Sequence, residues 1–409
     1  MQEGKINKMK RLVYGFCYMI AILILCVGCN DKEDTLPSSQ KQDTEIKADK
    51  PTSIDTLVKE EMSSTQKDTI KSVTRVKDWN LNEISNTSFK LNNTSCKMDS
   101  LVAPAYADAN KIIFLSYGEN NDVIYEFSTL TNQCKEIYKS KGIGNLVGNE
   151  GFLFWTEYDT KQLSNVEWSI KGLDLLENKV TNIATGGSYK DTPTPTMKLG
   201  YQSINWIEYE IQGEKVISKV KNYNYKKREV TTLSEALLNE SEERKGEYYI
   251  LQEGINTEEQ ILLYKSVFKN GNKEFTIDIQ KNGEPIQNLL TQNGVLDFIS
   301  NNKYFVYTGE GHLTYKEILN PASKSVFETG NKLTTDTPIF VGKHSLVFRY
   351  AMNELYLINM KENKSYSLTG YTSLVSKPVY TNGFLAYGIK TGEQEKEEIT
   401  FYLLKIDEK

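Results

Sequence analysis

A glutamate followed by a tyrosine closes two similar apolar stretches, which read GFLFWTEYD and SINWIEYEI. The first contributes Glu157 and Tyr158, and the second contributes Glu208 and Tyr209, 51 residues further on. Two carboxylates with tyrosines beside them would offer charge and an aromatic surface to a cationic, peptide or glycan ligand, if neighbouring units set them side by side. Alternatively, the four residues are solvated strand ends without a ligand.

A second arrangement of carboxylates would support acid–base chemistry. Glu157, Glu208 and Asp297 would serve a lyase, hydrolase or cyclotransferase if they lay near the central channel of a ring-shaped fold. The chain has only two histidines, His312 and His344, and they stand in different units. It contains no Gly-rich phosphate loop, no Gly-x-Ser-x-Gly elbow and no Asp-rich calcium loop. We therefore predict no catalytic residue, metal or cofactor, with the exported enzyme as the alternative.

The first 28 residues have the pattern of an export signal. Lys5, Lys8, Lys10 and Arg11 give a positive start, and an apolar run of 16 residues follows at 12–27. That length is short for a spanning helix and suits the apolar region of a signal peptide. An uncleaved N-terminal anchor helix is the alternative, and either form exports the rest of the chain.

The apolar run ends in Cys26-Val27-Gly28-Cys29. Small residues before a cysteine resemble the lipobox of bacterial lipoproteins, although Cys26 stands where leucine is commonest. The resemblance implies cleavage between Gly28 and Cys29 and a diacylglycerol on the Cys29 sulfur, with palmitate as the expected acyl group. Two acyl chains hold a protein to a bilayer far better than one. We therefore predict an extracytoplasmic protein anchored to the cell membrane, as in Gram-positive bacteria.

A polar tether is predicted after the anchor. Residues 30–78 contain no aromatic residue and no glycine and are rich in Lys, Asp, Glu, Ser and Thr. Such a segment buries too little apolar surface to offset the entropy lost on ordering. We expect the lipidated Cys29 and a disordered tether over residues 29–78, and a folded domain over residues 79–409.

The folded part repeats one unit. Short apolar runs recur between turns rich in Asn, Gly and Lys, and hand alignment gives one column of large residues. The column consists of Leu115, Trp155, Trp206, Tyr264, Tyr307, Phe348 and Tyr387. Its steps of 40, 51, 58, 43, 41 and 39 residues fit the four-stranded blades of a β-propeller. We predict that the column packs between neighbouring blades.

The two ends of the repeat complete each other. The last unit, which finishes with EEITFYLLKI, is one strand short, and the strand-like TSFKLNN at 87–93 precedes the first unit without a partner. Pairing the two segments would close the ring and remove two exposed edges. We therefore predict an all-β propeller, with seven blades favoured over six or eight.

Cys96 and Cys134 are the cysteines of the mature chain besides the lipidated one. Export permits a disulfide between them. Such a bridge would pin the closing strand to the first blade and contribute roughly 3–4 kcal/mol. Two free buried thiols are the alternative.

The strand pattern resembles the TolB-like and dipeptidyl-peptidase-N-terminal-like propellers of exported bacterial proteins, although the Pro-Asp-Gly-Lys turn of TolB repeats is missing. Peptidases of this kind append a hydrolase domain, whereas this chain ends with the propeller. The formal charge of −5 and the lack of a basic patch argue against nucleic acid as a partner. We expect a monomeric binding or scaffold module for a protein, peptide or envelope glycan.

Overall fold

The structure is a computed structural model. It describes residues 69–406 apart from the gaps 77–84, 97–101, 161–165, 189–193, 213–214, 240–247, 270–271, 282–283, 285, 330–332 and 393–397. The predicted signal peptide, the lipidation site at Gly28 and Cys29, and most of the predicted tether lie outside the described residues. Within the described part, no helix is long and apolar enough to cross a membrane.

Three N-terminal strands precede the repeat: β1 (Thr69–Ser72), β2 (Thr74–Arg75) and β3 (Ser85–Lys90). Blade 1 consists of β4 (Pro104–Ala107), β5 (Lys111–Ser116), β6 (Asp122–Ser128) and β7 (Gln133–Ser140). Blade 2 consists of β8 (Gly142–Asn149), β9 (Phe152–Tyr158), β10 (Val166–Asp174) and β11 (Lys179–Ser188). Blade 3 consists of β12 (Lys198–Gly200), β13 (Ser203–Gln212), β14 (Lys215–Asn224) and β15 (Glu229–Asn239).

Blade 4 consists of β16 (Tyr248–Asn256), β17 (Gln260–Lys269), β18 (Asn272–Lys281) and β19 (Gln287–Thr291). Blade 5 consists of β20 (Asp297–Ser300), β21 (Tyr304–Gly309), β22 (His312–Glu317) and β23 (Asn320–Glu328). Blade 6 consists of β24 (Thr335–Phe340), β25 (Ser345–Tyr350), β26 (Glu354–Asn359) and β27 (Lys364–Ser367). Blade 7 contains β28 (Leu374–Val375), β29 (Val379–Thr381), β30 (Phe384–Thr391) and β31 (Glu398–Lys405), and takes β3 as its outer strand.

These seven sheets form a ring, so the prediction of an all-β propeller with seven blades is confirmed. The second strand of each blade is sandwiched between two neighbouring blades and is therefore apolar on both faces. The predicted aromatic column lies on these strands. All of its members are buried except Tyr264, which is half-buried. Trp155 and Trp206 are among the largest fully buried side chains, which confirms their packing role.

The ring closes through the N-terminal segment, as predicted. Strand β3 runs antiparallel to β31, with Ser85 opposite Lys405 and Lys90 opposite Thr400. A short 3-10 turn, Leu91–Asn93, follows it, and Leu91 is fully buried between blades 7 and 1. The inner strand of blade 7 is split into β28 and β29 around Pro378, because proline has no N–H to donate to the ladder.

The end of the predicted tether differs from expectation. Strand β1 pairs in parallel with β23 and adds a fifth strand to blade 5, and β2 does the same for β27 in blade 6. Val73, between them, is 9% exposed and packs in the apolar cluster shared by the two blades. Arg75 lies over the Phe327 ring, 4.6 Å from its centroid. Residues 69–76 are thus a strap across two blade edges. Backbone pairing and these two contacts hold them, despite their polar composition.

Candidate functional site

Each blade has two ends. The strands of a blade, from the channel outward, are called a, b, c and d. Because neighbouring strands are antiparallel, the b–c connections and the connections between blades open on one side of the ring, here called the b–c face. Glu157 and Tyr158 end strand β9 on this face, as predicted from the repeat, whereas Glu208 and Tyr209 lie in the middle of β13, which continues to Gln212.

Strand alternation separates the members of the predicted acidic and aromatic patch. On β9, Glu157 shares a face with Trp155 and points towards blade 1, whereas Tyr158 packs with the cluster between blades 2 and 3. A Glu157 carboxylate oxygen accepts a hydrogen bond of 2.5 Å from the Tyr138 hydroxyl of blade 1. Burial raises the pKa of Tyr138, and the hydrogen bond to the charged Glu157 raises it further.

The same division holds on β13. Glu208 accepts a hydrogen bond of 2.8 Å from Nε1 of Trp206, on the side facing blade 2. Tyr209 points the other way and donates to the Leu251 carbonyl of blade 4 at 3.1 Å. Burial, followed by the charge of Glu253, raises the pKa of Tyr209 to about 12. The four residues therefore lie in three different clefts, and none of the hydrogen bonds among the described residues joins two of them.

An open cavity of about 540 Å³ lies beside Glu157, on the face of blade 2 turned towards blade 1. Its charged lining consists of Glu157, Asp159, Glu167 and Lys171. The side chains that alternation points into it are polar, whereas Tyr158 and Trp168 point to the opposite face of the sheet and border it with their backbone. It is an acidic, hydrophilic hollow without the aromatic platform that the sequence predicted.

The third predicted carboxylate, Asp297, belongs to an ion cluster on the inner strands. Lys198 of blade 3 lies 2.7 Å from a carboxylate oxygen of Glu253 in blade 4 and 2.7 Å from one of Asp297 in blade 5. Its ammonium also lies 4.4 Å from the centroid of the Phe298 ring. The three charged side chains are 22–27% exposed. The cluster therefore joins three consecutive blades at the channel.

The pKa shifts in this cluster have opposing causes. Burial alone would lower the pKa of Lys198, but the charges of Asp297 and Glu253 outweigh it and raise the pKa. Burial raises the pKa of Glu253, and the charge of Asp297 raises it further. Lys198 lowers it, but by less than burial raises it. Lys198 is consequently held as an ammonium ion, which is neither a general base nor a nucleophile.

Sequence reasoning missed Lys198 and Glu253. A signal was present, because each is the one charged residue of an otherwise uncharged inner-strand segment, TPTMKLG and YYILQEGIN. Their meeting depends on a β-bulge, since the register of β16 against β17 shifts between Leu251 and Glu253. A bulge changes the direction of the side chain that follows it, and no sequence pattern predicts a bulge at this position.

Large apolar side chains are exposed on the connections of the b–c face. Five of them follow one another from blade 5 through blades 6 and 7 to blade 1, and we call them the apolar arc. They are Leu296 (44% exposed), Leu333 (47%), Met352 (49%), Tyr371 (81%) and Tyr117 (60%). Exposed leucines also stand on c–d turns of the opposite side, at Leu130, Leu176 and Leu319.

Cys96 and Cys134 are joined as a disulfide in the structure, with their Cα atoms 5.1 Å apart. The bridge links the segment after β3 to the outer strand of blade 1, across a separation of 38 residues. Ser95 adds to this link, because its hydroxyl donates to the Cys134 carbonyl at 3.1 Å. Among the described residues, no group of three or more His, Cys, Asp or Glu side chains is placed to hold a metal ion.

No protein-family model matches the chain, and no curated protein does. Solved structures are similar in fold. A prolyl endopeptidase is 10% identical with a TM-score of 0.48, and the match covers 76% of this chain and half of that one. The oligogalacturonate lyase of Vibrio parahaemolyticus is 11% identical (TM-score 0.44), with 80% and 97% covered. TolB from Acinetobacter baumannii is 18% identical (TM-score 0.36), with 56% of each chain covered. This likeness concerns the β-propeller fold alone.

Proposed function

We propose that this protein is an extracytoplasmic lipoprotein, held to the cell membrane by lipid on Cys29. Its propeller acts as a non-catalytic binding or scaffold module for a protein, peptide or envelope glycan. The observation that carries the binding role is the apolar arc, whose five side chains are 44–81% exposed on connections of the b–c face. Exposed apolar side chains that share one surface are typical of interaction sites.

The placement of the carboxylates favours binding over the alternative, an exported lyase, hydrolase or cyclotransferase. Such an enzyme needs its acid and base to meet around one substrate. Glu157 lies between blades 1 and 2, and Glu208 lies between blades 2 and 3. Asp297 is paired with an ammonium at the channel. Three separated carboxylates, one of them neutralised, suit structural and binding roles.

The anchor is tested with the full chain in its membrane. Cells grown with a clickable palmitate analogue should label the wild-type protein and leave Cys29→Ser unlabelled, and the variant should be released from the membrane because its lipid is missing. An unlabelled wild-type chain that keeps an intact leader would contradict the anchor.

The binding role is tested separately by chemical cross-linking on intact cells, followed by purification of the full chain. The expected result is an envelope component that copurifies in near-stoichiometric amounts. Recovery of the protein as a monomer, with no component cross-linked to it by any of several reagents, would count against a binding or scaffold function.

A further inference from the structure

A strained turn of the b–c face lies in the middle of the apolar arc. The turn between β25 and β26 has Ala351 at φ 50° and Met352 at φ 62°, and the N–H of Asn353 donates to the Tyr350 carbonyl at 3.0 Å. Two successive central residues at positive φ are the pattern of a type I′ turn, which strongly prefers Asn-Gly. Alanine and methionine carry a Cβ that is crowded in this conformation.

The same chain uses the favourable residues at another turn with two positive φ values, on the opposite side of the ring. In blade 7, β29 and β30 are joined by Asn382 at φ 52° and Gly383 at φ 81°. The fold can therefore use Asn-Gly where a turn serves structure alone. At residues 351–352 it keeps a costly pair instead. Strained residues of this kind persist at binding sites, where the strain is part of the function.

Neighbouring segments hold the strained turn in place on both sides. The N–H of Ala351 donates to the Thr334 carbonyl at 2.9 Å, and the Met352 carbonyl accepts from the N–H of Val375 at 2.8 Å. The Asn353 side chain donates a hydrogen bond of 3.0 Å to the Thr372 carbonyl, and the Thr372 hydroxyl donates one of 2.7 Å to the Asn353 carbonyl. The turn is therefore rigid, and it is tied to the connection that carries Tyr371.

We propose that Met352 and Tyr371 form a preorganised knob that inserts into an apolar pocket of a folded partner protein. The inference rests on the proposed binding function and names its anchor. Met352 is 49% exposed at the tip of the rigid turn, and Tyr371 is 81% exposed one residue before Thr372. Tyrosine and methionine are enriched in protein interfaces, and a side chain already fixed in position loses little entropy on binding.

The shape of the knob selects the class of partner. Glycans, small molecules and single peptides bind in concave sites, which they fill. A projecting methionine and tyrosine offer no concavity and need a partner that supplies one. A folded protein with an apolar pocket meets that need.

The test uses the full chain in cells, with the photoreactive residue p-benzoylphenylalanine in place of Tyr371. A matched control carries it in place of Leu176, which is 95% exposed on the opposite side of the ring. We expect a light-dependent adduct with another protein from position 371 and not from position 176. The double variant Ala351→Asn with Met352→Gly should reduce the adduct by about tenfold or more, because it removes the anchor. It should also raise the Tm by a few degrees, because the strain is relieved.

Each contrary outcome is distinct. An adduct yield unchanged by the double variant, equal yields from positions 371 and 176, or an adduct with a second copy of this chain would overturn the knob. If cross-linking elsewhere on the protein still captures an envelope component, the knob fails and the binding function stands. A lower Tm in the double variant would show that the turn is not strained and would remove the basis of the inference.

Discussion

Lys198 and Glu253 lie on the inner strands of two neighbouring blades, and their charged groups are 2.7 Å apart. Asp297, from the next blade, contacts the same ammonium. One lysine thus bridges three blades at the channel, where no backbone ladder among the described residues joins the sheets of these blades. Its removal would leave two carboxylates facing one another.

Lys198→Met should lower the free energy of unfolding by about 3 kcal/mol at neutral pH, because uncompensated partly buried carboxylates remain. The loss should grow with pH. Without the ammonium, the folded-state pKa of Glu253 rises further above its unfolded value of about 4.3. A raised carboxyl pKa stabilises the fold below the unfolded pKa, and that contribution disappears as the pH rises through the folded pKa.

Urea unfolding at pH 5 and pH 8 measures this effect. The control is Lys226→Met, because Lys226 forms an ion pair of 3.0 Å with Glu150 at a site where both side chains are nearly half exposed. That variant should lose about 0–1 kcal/mol at either pH. Equal losses for the two variants, or a Lys198→Met loss that shrinks at pH 8, would contradict the role given to the cluster.

The two repeated tryptophans should respond differently to the same substitution. Nε1 of Trp206 donates to Glu208, whereas the buried Nε1 of Trp155 has no hydrogen-bond partner. Trp206→Phe therefore removes a bond to a charged group, and Trp155→Phe removes an unsatisfied donor. We expect Trp206→Phe to be more destabilising by about 1.5 kcal/mol. Chemical denaturation of both variants measures the difference, and a reversed order would contradict the hydrogen-bond assignment.

The sequence predicted those elements whose residues carry a local pattern. The column from Leu115 to Tyr387 follows from apolar runs that burial on two faces requires. The closing strand was predicted because the last unit lacks an outer strand and residues 87–93 lack a partner in the first unit. The strap at 69–76 was missed because its stability depends on Val73 and Arg75 meeting two distant blades. The four residues of the predicted acidic and aromatic patch lie in three clefts, since neighbouring residues such as Glu157 and Tyr158 alternate across the sheet.

The strap gives a prediction with an internal control. Val73→Asp buries a charge in the cluster between blades 5 and 6. It should lower the free energy of unfolding by about 3 kcal/mol and detach β1 and β2. Ile70→Asp, four-tenths buried on the same strap, should cost no more than about 0.5 kcal/mol. Hydrogen exchange at residues 323–326 and 364–365 reports detachment. Unchanged protection in Val73→Asp would contradict the docking of the strap.

The disulfide gives a further prediction. Replacing Cys96 and Cys134 together with serine should lower stability by about 3–4 kcal/mol, because the bridge restricts a long loop in the unfolded chain. Backbone amides of β3 should also exchange faster, since the bridge follows this closing strand. Thiol titration of the denatured wild-type protein after removal of the predicted signal peptide is the companion measurement, because Cys17 and Cys26 lie in that segment. Two titratable thiols there, or an equally stable double variant, would contradict the bridge.

The proposed binding role requires the b–c face to contact the envelope partner. The measurement compares, after cross-linking in cells, two full-length variants that carry three substitutions each. One replaces Leu296, Leu333 and Tyr371 of the apolar arc with serine, and the other replaces Leu130, Leu176 and Leu319 on the opposite side. We expect loss of the copurifying partner in the first variant alone, with both proteins folded. Retention in the first variant and loss in the second would contradict it.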